Sequence, residues 1–122
     1  MIALLLACAA PAPANTTAQG LYAIRYATSP DPVPLSTLFE VETFVTDART
    51  GEPVEDAVVR VDARMPQHGH GMATKPEDVA GPHPDGRYVT RGMKLHMPGE
   101  WTLRFEVDGP AGRDTLEVRH RQ

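Results

Sequence analysis

Two short segments of this chain concentrate donors that could hold a soft metal ion. Met65-Pro66-Gln67-His68-Gly69-His70-Gly71-Met72 places two imidazoles and two thioethers in eight residues, and Met93-Lys94-Leu95-His96-Met97 adds one imidazole and two thioethers. Thioether sulfur selects copper(I), while imidazole suits copper, zinc and iron alike. An oxidising compartment consumes free thiols, so an exported copper carrier can use methionine and histidine where a cytosolic one would use cysteine. Thioethers bind without losing a proton, whereas an imidazole must be neutral to bind, so protons compete with the ion at histidine alone. The expected cofactor is therefore copper, as Cu(I), and the candidate ligands are His68, His70, Met72, His96 and Met97. On an extended backbone His68, His70 and Met72 point the same way, and Gly69 and Gly71 let the loop curl toward one ion.

A reading without metal uses the same residues. His96 then donates to a carbonyl beside the Pro98-Gly99 turn, and His68 or His70 does the same in its loop. The chain would in that case be a non-catalytic structural or interaction module with the His/Met loops as scaffold. Met65 and Met93 are expected to be core residues at strand ends under either reading. His83 and His120 are expected to be solvated, and Trp101 to be a core tryptophan.

Other functions find little support. The two serines, Ser29 and Ser36, sit in no Gly-x-Ser-x-Gly, and the chain has no His-Glu-x-x-His, no Cys-x-x-Cys-His and no phosphate loop. An enzyme is not expected. A net charge of -4, with basic residues scattered singly, argues against a nucleic-acid partner.

The elements that must position these donors read as strands. Twelve prolines and ten glycines separate short apolar runs, which disfavours long helices. Residues 21–27, 38–46 and 57–65 form the first three expected strands. In the second, Phe39, Val41, Thr43 and Val45 alternate with Glu40, Glu42, Phe44 and Thr46; in the third, Val59, Val61, Ala63 and Met65 face one way. Pro66 then ends the ladder by removing a donor, so the His-bearing segment starts at a sheet end. A weak edge strand is expected within 73–80 and a stronger one over 87–92. Met97-Pro98-Gly99-Glu100 has turn chemistry. The next strand sets Trp101, Leu103, Phe105 and Val107 inward, and a last strand ends near His120. Six clear strands and one weak one, in a chain of 122 residues, predict a single all-β domain, an immunoglobulin-like antiparallel β-sandwich of about seven strands, with a small closed barrel as the alternative. Sandwich loops cluster at two ends, so the two donor segments can converge if they share one.

The first residues carry a different message. Met1 to Ala10 is an apolar run too short to span a bilayer, and its Leu5-Leu6-Ala7-Cys8 end resembles a bacterial lipobox. Residues 1–8 are expected to be an export signal with Cys8 as the lipidation site, residues 9–20 a flexible tether rich in Ala, Pro and Thr, and residues 21–122 the folded domain. The competing reading is cleavage after Ala12-Pro13-Ala14. The expected product is a periplasmic or cell-surface lipoprotein, held to the membrane by its lipid.

From about Leu38 to Val118 the chain resembles the YtkA-like and FixH-like group of small exported β-sandwich domains. The resemblance is carried by Met65-Pro66-Gln67-His68-Gly69-His70-Gly71-Met72, Gly86-Arg87-Tyr88, Gly92-Met93 and Met97-Pro98-Gly99-Glu100-Trp101. FixH-like members are linked to cation transport for oxidase maturation. The resemblance thus implies a copper connection, and a copper-donating or copper-receiving protein as partner.

Overall fold

The computed structural model describes residues 13–122. The expected export signal, the expected lipidation site Cys8 and the first part of the expected tether lie outside the described residues. Nine strands follow in order: β1 (Asn15–Thr16), β2 (Tyr22–Ser29), β3 (Phe39–Asp47), β4 (Val58–Met65), β5 (His70–Gly71), β6 (Glu77–Asp78), β7 (Arg87–Met93), β8 (Glu100–Gly109) and β9 (Gly112–Arg121). They form two antiparallel sheets, ordered β1-β2-β3-β7-β6 and β5-β4-β8-β9. Set against an immunoglobulin constant-type domain, β2, β3, β7 and β6 take the places of strands A, B, E and D, and β4, β8 and β9 those of C, F and G. Two separate sheets make this a sandwich and not the closed barrel.

Period-two patterning builds the core. Phe39, Val41 and Val45 from β3 face Val59, Val61, Ala63 and Met65 from β4 and Trp101, Leu103, Phe105 and Val107 from β8, all of them buried. Register keeps these sets aligned within each sheet, with Ile24 opposite Val45, and Val61 opposite Phe105. Each large apolar side chain so buried contributes about 1.5–3 kcal/mol, which offsets chain entropy without help from a disulfide.

The tether expected over residues 9–20 is shorter than its composition suggests. Asn15 and Thr16 pair with Ile24 and Ala23 at the edge of β2. Thr17 is buried, and its hydroxyl donates to Asp114 Oδ2 at 2.6 Å while accepting from the Tyr22 amide at 3.0 Å. The amides of Gln19 and Leu21 also donate to the Asp114 carboxylate, at 3.0 and 3.2 Å, as does that of Thr115 at 2.9 Å. Burial alone would raise the Asp114 pKa, but the donors from Thr17, Gln19, Thr115 and Leu21 outweigh it and hold the carboxyl below its ordinary value. A segment read as featureless from its Ala and Thr content is thus pinned to the first residues of β9, and the folded domain starts by Asn15.

The sheet edges are managed unevenly. The Val61 amide, on the β4 edge, donates to Asp78 Oδ1 at 3.3 Å, and the same oxygen accepts from the Thr90 hydroxyl at 2.7 Å, joining the two sheets. The Ala18 amide donates to the Thr115 carbonyl on the outer side of β9 at 2.8 Å. Beyond that contact, among the described residues, no strand covers β9 from Glu117 to Arg121.

Candidate metal centre

Met65 ends β4 with its side chain in the core. Pro66 cannot extend the ladder, and Pro66–His68 form one 3₁₀ turn. The Gly69 amide closes this turn onto the Met65 carbonyl at 3.0 Å, and the positive φ of Gly69 (67°) reverses the chain. His70 and Gly71 then pair back against Met65 and Arg64. This corrects the expectation that His68, His70 and Met72 share one face of an extended loop: His68 sits exposed on a 3₁₀ turn, while His70 is half-buried in a strand. Their ring centroids are 5.9 Å apart.

The second donor segment arrives at the same end of the sandwich. β7 ends at Met93, fully buried, and the connection to β8 carries His96 and Met97. Four hydrogen bonds fix it and the end of β7. The Lys94 amide donates to Met72 Sδ at 3.3 Å, the Thr74 hydroxyl donates to the Gly92 carbonyl at 2.7 Å, and Ser36 donates from its amide to Leu95 O at 2.9 Å and from its hydroxyl to His96 O at 3.3 Å. The His70 and His96 rings consequently lie 5.3 Å apart between centroids. Beneath both is Trp101, fully buried, its ring 6.1 Å from His70 and 5.6 Å from His96, each pair meeting edge to face at 73° and 76°. Trp101 Nε1 donates to the Met97 carbonyl at 2.9 Å, which holds the indole under the turn.

The donor atoms suit a small site of mixed nitrogen and sulfur. His70 Nδ1 lies 2.9 Å from Gly71 O; donating there, it keeps a lone pair on Nε2 for an ion. His96 Nδ1 is buried and has no hydrogen-bond partner, so the carbonyl contact expected of it near the Pro98-Gly99 turn is not made by that atom. A buried nitrogen without a partner carries a desolvation cost, which a bound ion would remove. Two imidazoles on one ion at the usual metal–nitrogen distance of about 2.0–2.1 Å have centroids roughly 5 to 6.5 Å apart, and the His70–His96 spacing falls in that range. Met72 is half-buried, and its sulfur keeps one lone pair beyond the Lys94 contact. Met97 is half-buried against the core. Among the described residues no three His, Cys, Asp or Glu side chains are arranged around one ion, so the geometry does not offer an all-nitrogen or carboxylate site. His68 neighbours the ring of His70 and stays at the periphery.

Trp101, expected to be a core tryptophan, is fully buried and also lies beneath both imidazoles, whereas no expectation attaches to Ser36. The tryptophan lies inside the quoted Met97-Pro98-Gly99-Glu100-Trp101 motif, so the signal was present; nothing local marks Ser36, which reaches the site from the β2–β3 connection. His83 and His120, expected to be solvated, are each half-buried: His83 stacks on Tyr88 at 4.0 Å and His120 Nε2 lies 2.9 Å from Gln122 Oε1. A surface groove of about 470 Å³, lined by Pro66, Gln67, Glu100, Thr102, Glu117 and Arg119, runs over the outer face of β8 and β9 and does not include His70 or His96. No helix among the described residues is long and apolar enough to cross a membrane.

No curated protein matches the sequence. In structure the chain is similar to a DUF4426 family protein from Pseudomonas aeruginosa, at a TM-score of 0.63 and 13% identity over 91% of this chain and 96% of that one, a likeness of fold alone. The family model described as YtkA-like matches residues 16–106, a span that begins at β1 and ends within β8 and so contains both donor segments and the tryptophan beneath them. With that coverage, the chain belongs to the YtkA-like family.

Proposed function

We propose that this domain is an exported copper-handling protein that binds Cu(I) through His70 and His96, with Met72 and Met97 supplying thioethers and His68 at the mouth. The carrying observation is the convergence of His70, from β5, and His96, from the β7–β8 connection, beside a buried His96 nitrogen with no partner and a Met72 sulfur tied to that connection. A mixed imidazole and thioether set favours the cuprous ion, and the two half-buried rings leave it a way in and out, as delivery to a partner requires. On this reading Cys8 bears a lipid, the protein sits at a membrane in the periplasm or on the cell surface, and a copper-donating or copper-receiving protein is its partner. No catalytic step is involved.

A second reading is a metal-free interaction module. It is favoured by Leu35 and Leu38, 47% and 60% exposed on the connection whose Ser36 holds the His96 loop. Titration of the purified domain with Cu(I) under reducing conditions, against a competing chelator, separates the two. One equivalent should bind, and His70→Ala combined with His96→Ala should abolish it with circular dichroism unchanged. Met72→Ala should weaken Cu(I) more than Cu(II). Binding no tighter than that of a sandwich lacking these residues selects the interaction module.

A further inference from the structure

The three rings at this end of the sandwich form a nearly regular triangle, with centroid separations of 5.3, 5.6 and 6.1 Å for His70–His96, His96–Trp101 and His70–Trp101. The point equidistant from all three centroids lies about 3.3 Å from each, which matches both the reach of an imidazole nitrogen ligand and the approach of a cation to an indole face. Both imidazoles meet the indole near the perpendicular, so neither stacks face on face with it. The indole cannot swing away, because Nε1 is bonded to Met97 O and the ring is fully buried.

We infer that Trp101 is a binding-site residue whose indole face receives a soft monovalent cation held by His70 and His96. The inference rests on the copper reading and deepens it. Indole is the best aromatic partner for a cation, and a desolvated face is worth more than an exposed one. The preference follows from chemistry: a weakly hydrated monovalent ion such as Cu(I) or Ag(I) gives up water readily for a π face and sulfur, whereas a hard divalent ion does not. The same lid of indole keeps water from the side of the ion opposite the entrance.

Trp101 is the sole tryptophan, so its spectrum reports on this site alone. Intrinsic fluorescence and ultraviolet difference spectra of the wild-type domain should be followed during titration with Cu(I) under reducing conditions and, separately, with the redox-inert Ag(I), with chelator competition giving the affinity. The expected result is an indole perturbation that saturates at one equivalent of either ion and is lost in His70→Ala. Trp101→Leu should lower the affinity roughly 10- to 30-fold, with Trp101→Phe in between. One equivalent bound with the indole spectrum unmoved, or with the Phe variant as tight as wild type, overturns the role of the indole and leaves the copper reading standing. Absence of binding by both ions overturns both. Should Trp101→Leu fail to fold, the wild-type spectra and the Phe variant decide.

Discussion

Replacing Asp114 by Asn tests how the N-terminal segment is held. Asp114 is 2% exposed and accepts four hydrogen bonds, from the Thr17 hydroxyl at 2.6 Å and from the amides of Thr115, Gln19 and Leu21 at 2.9, 3.0 and 3.2 Å. Asparagine keeps the shape but turns an amino group toward two of those donors, and hydrogen bonds to a charged acceptor are worth about 1.5–3 kcal/mol against about 1 for neutral pairs. The Thr17 hydroxyl can rotate to accept from the new amino group, so the net cost should be about 2–4 kcal/mol, a large share of a small domain's stability. The pH dependence carries a sign. Because the folded carboxyl lies below its ordinary value, its contribution is fully present above the unfolded aspartate pKa of about 3.9 and is lost as pH falls through the lower folded value. Urea denaturation followed by Trp101 fluorescence at pH 7, 5 and 3 should show the wild-type and Asp114→Asn midpoints far apart at pH 7 and 5 and closing toward pH 3. Deleting residues 1–19 should cost at least as much as the substitution, since it removes Thr17 and frees the Tyr22 amide. A variant within 0.5 kcal/mol of wild type at pH 7, taken as roughly the limit for an unimportant surface change, or parallel pH profiles for the two proteins, would refute the reasoning.

Further expectations concern the core, a turn and the anchor. Trp101→Ala should cost about 3–5 kcal/mol and leave the domain largely unfolded, which a thermal melt by circular dichroism reads directly; a shift of only a few degrees would mean the ring is peripheral. Gly86 has φ of 70°, and a Cβ there would stand 2.5 Å from the Val45 carbonyl oxygen, while Gly51, φ 76°, has nothing within 4 Å. Gly86→Ala should therefore cost more than about 2 kcal/mol and Gly51→Ala about 1, the left-handed penalty alone, in paired denaturation curves. With the first residues present in a bacterial host, the wild type should partition with membranes and Cys8→Ala should not; equal solubility of both ends the lipid reading.

The long strands were legible because each hides one face more than the other. Trp101, Leu103, Phe105 and Val107 are all buried between exposed or half-buried neighbours, as alternation required. The donor segments were legible from residue type, but not their geometry. A two-residue strand such as His70–Gly71 has no periodicity to read, and its pairing with Met65 depends on a 3₁₀ turn that only three dimensions reveal. That both segments share an end follows from strand directions, which local pattern does not contain. Asp114 was opaque for the opposite reason. An acid between Arg113 and Thr115 near a turn looks like surface, and what buries it, Thr17, lies 97 residues away. Composition alone misplaced the start of the domain there, since Ala, Thr and Gln say nothing about a distant carboxylate.

The uncovered stretch of β9 has a consequence for how copies of this protein behave at high concentration. An unpaired strand edge is a template on which a second chain can add itself and begin a growing ribbon. Here Glu117, Arg119 and Arg121, all exposed, stand at alternate positions along that stretch, and the Ala18 contact blocks its other half. A strand laid alongside must bring its own chain against these charges and strip water from them, a cost that apolar pairing on the far face does not return. Self-association along this border is discouraged by side-chain chemistry where the fold supplies no covering strand, so neutralising those three residues should raise self-association, read by light scattering at rising concentration.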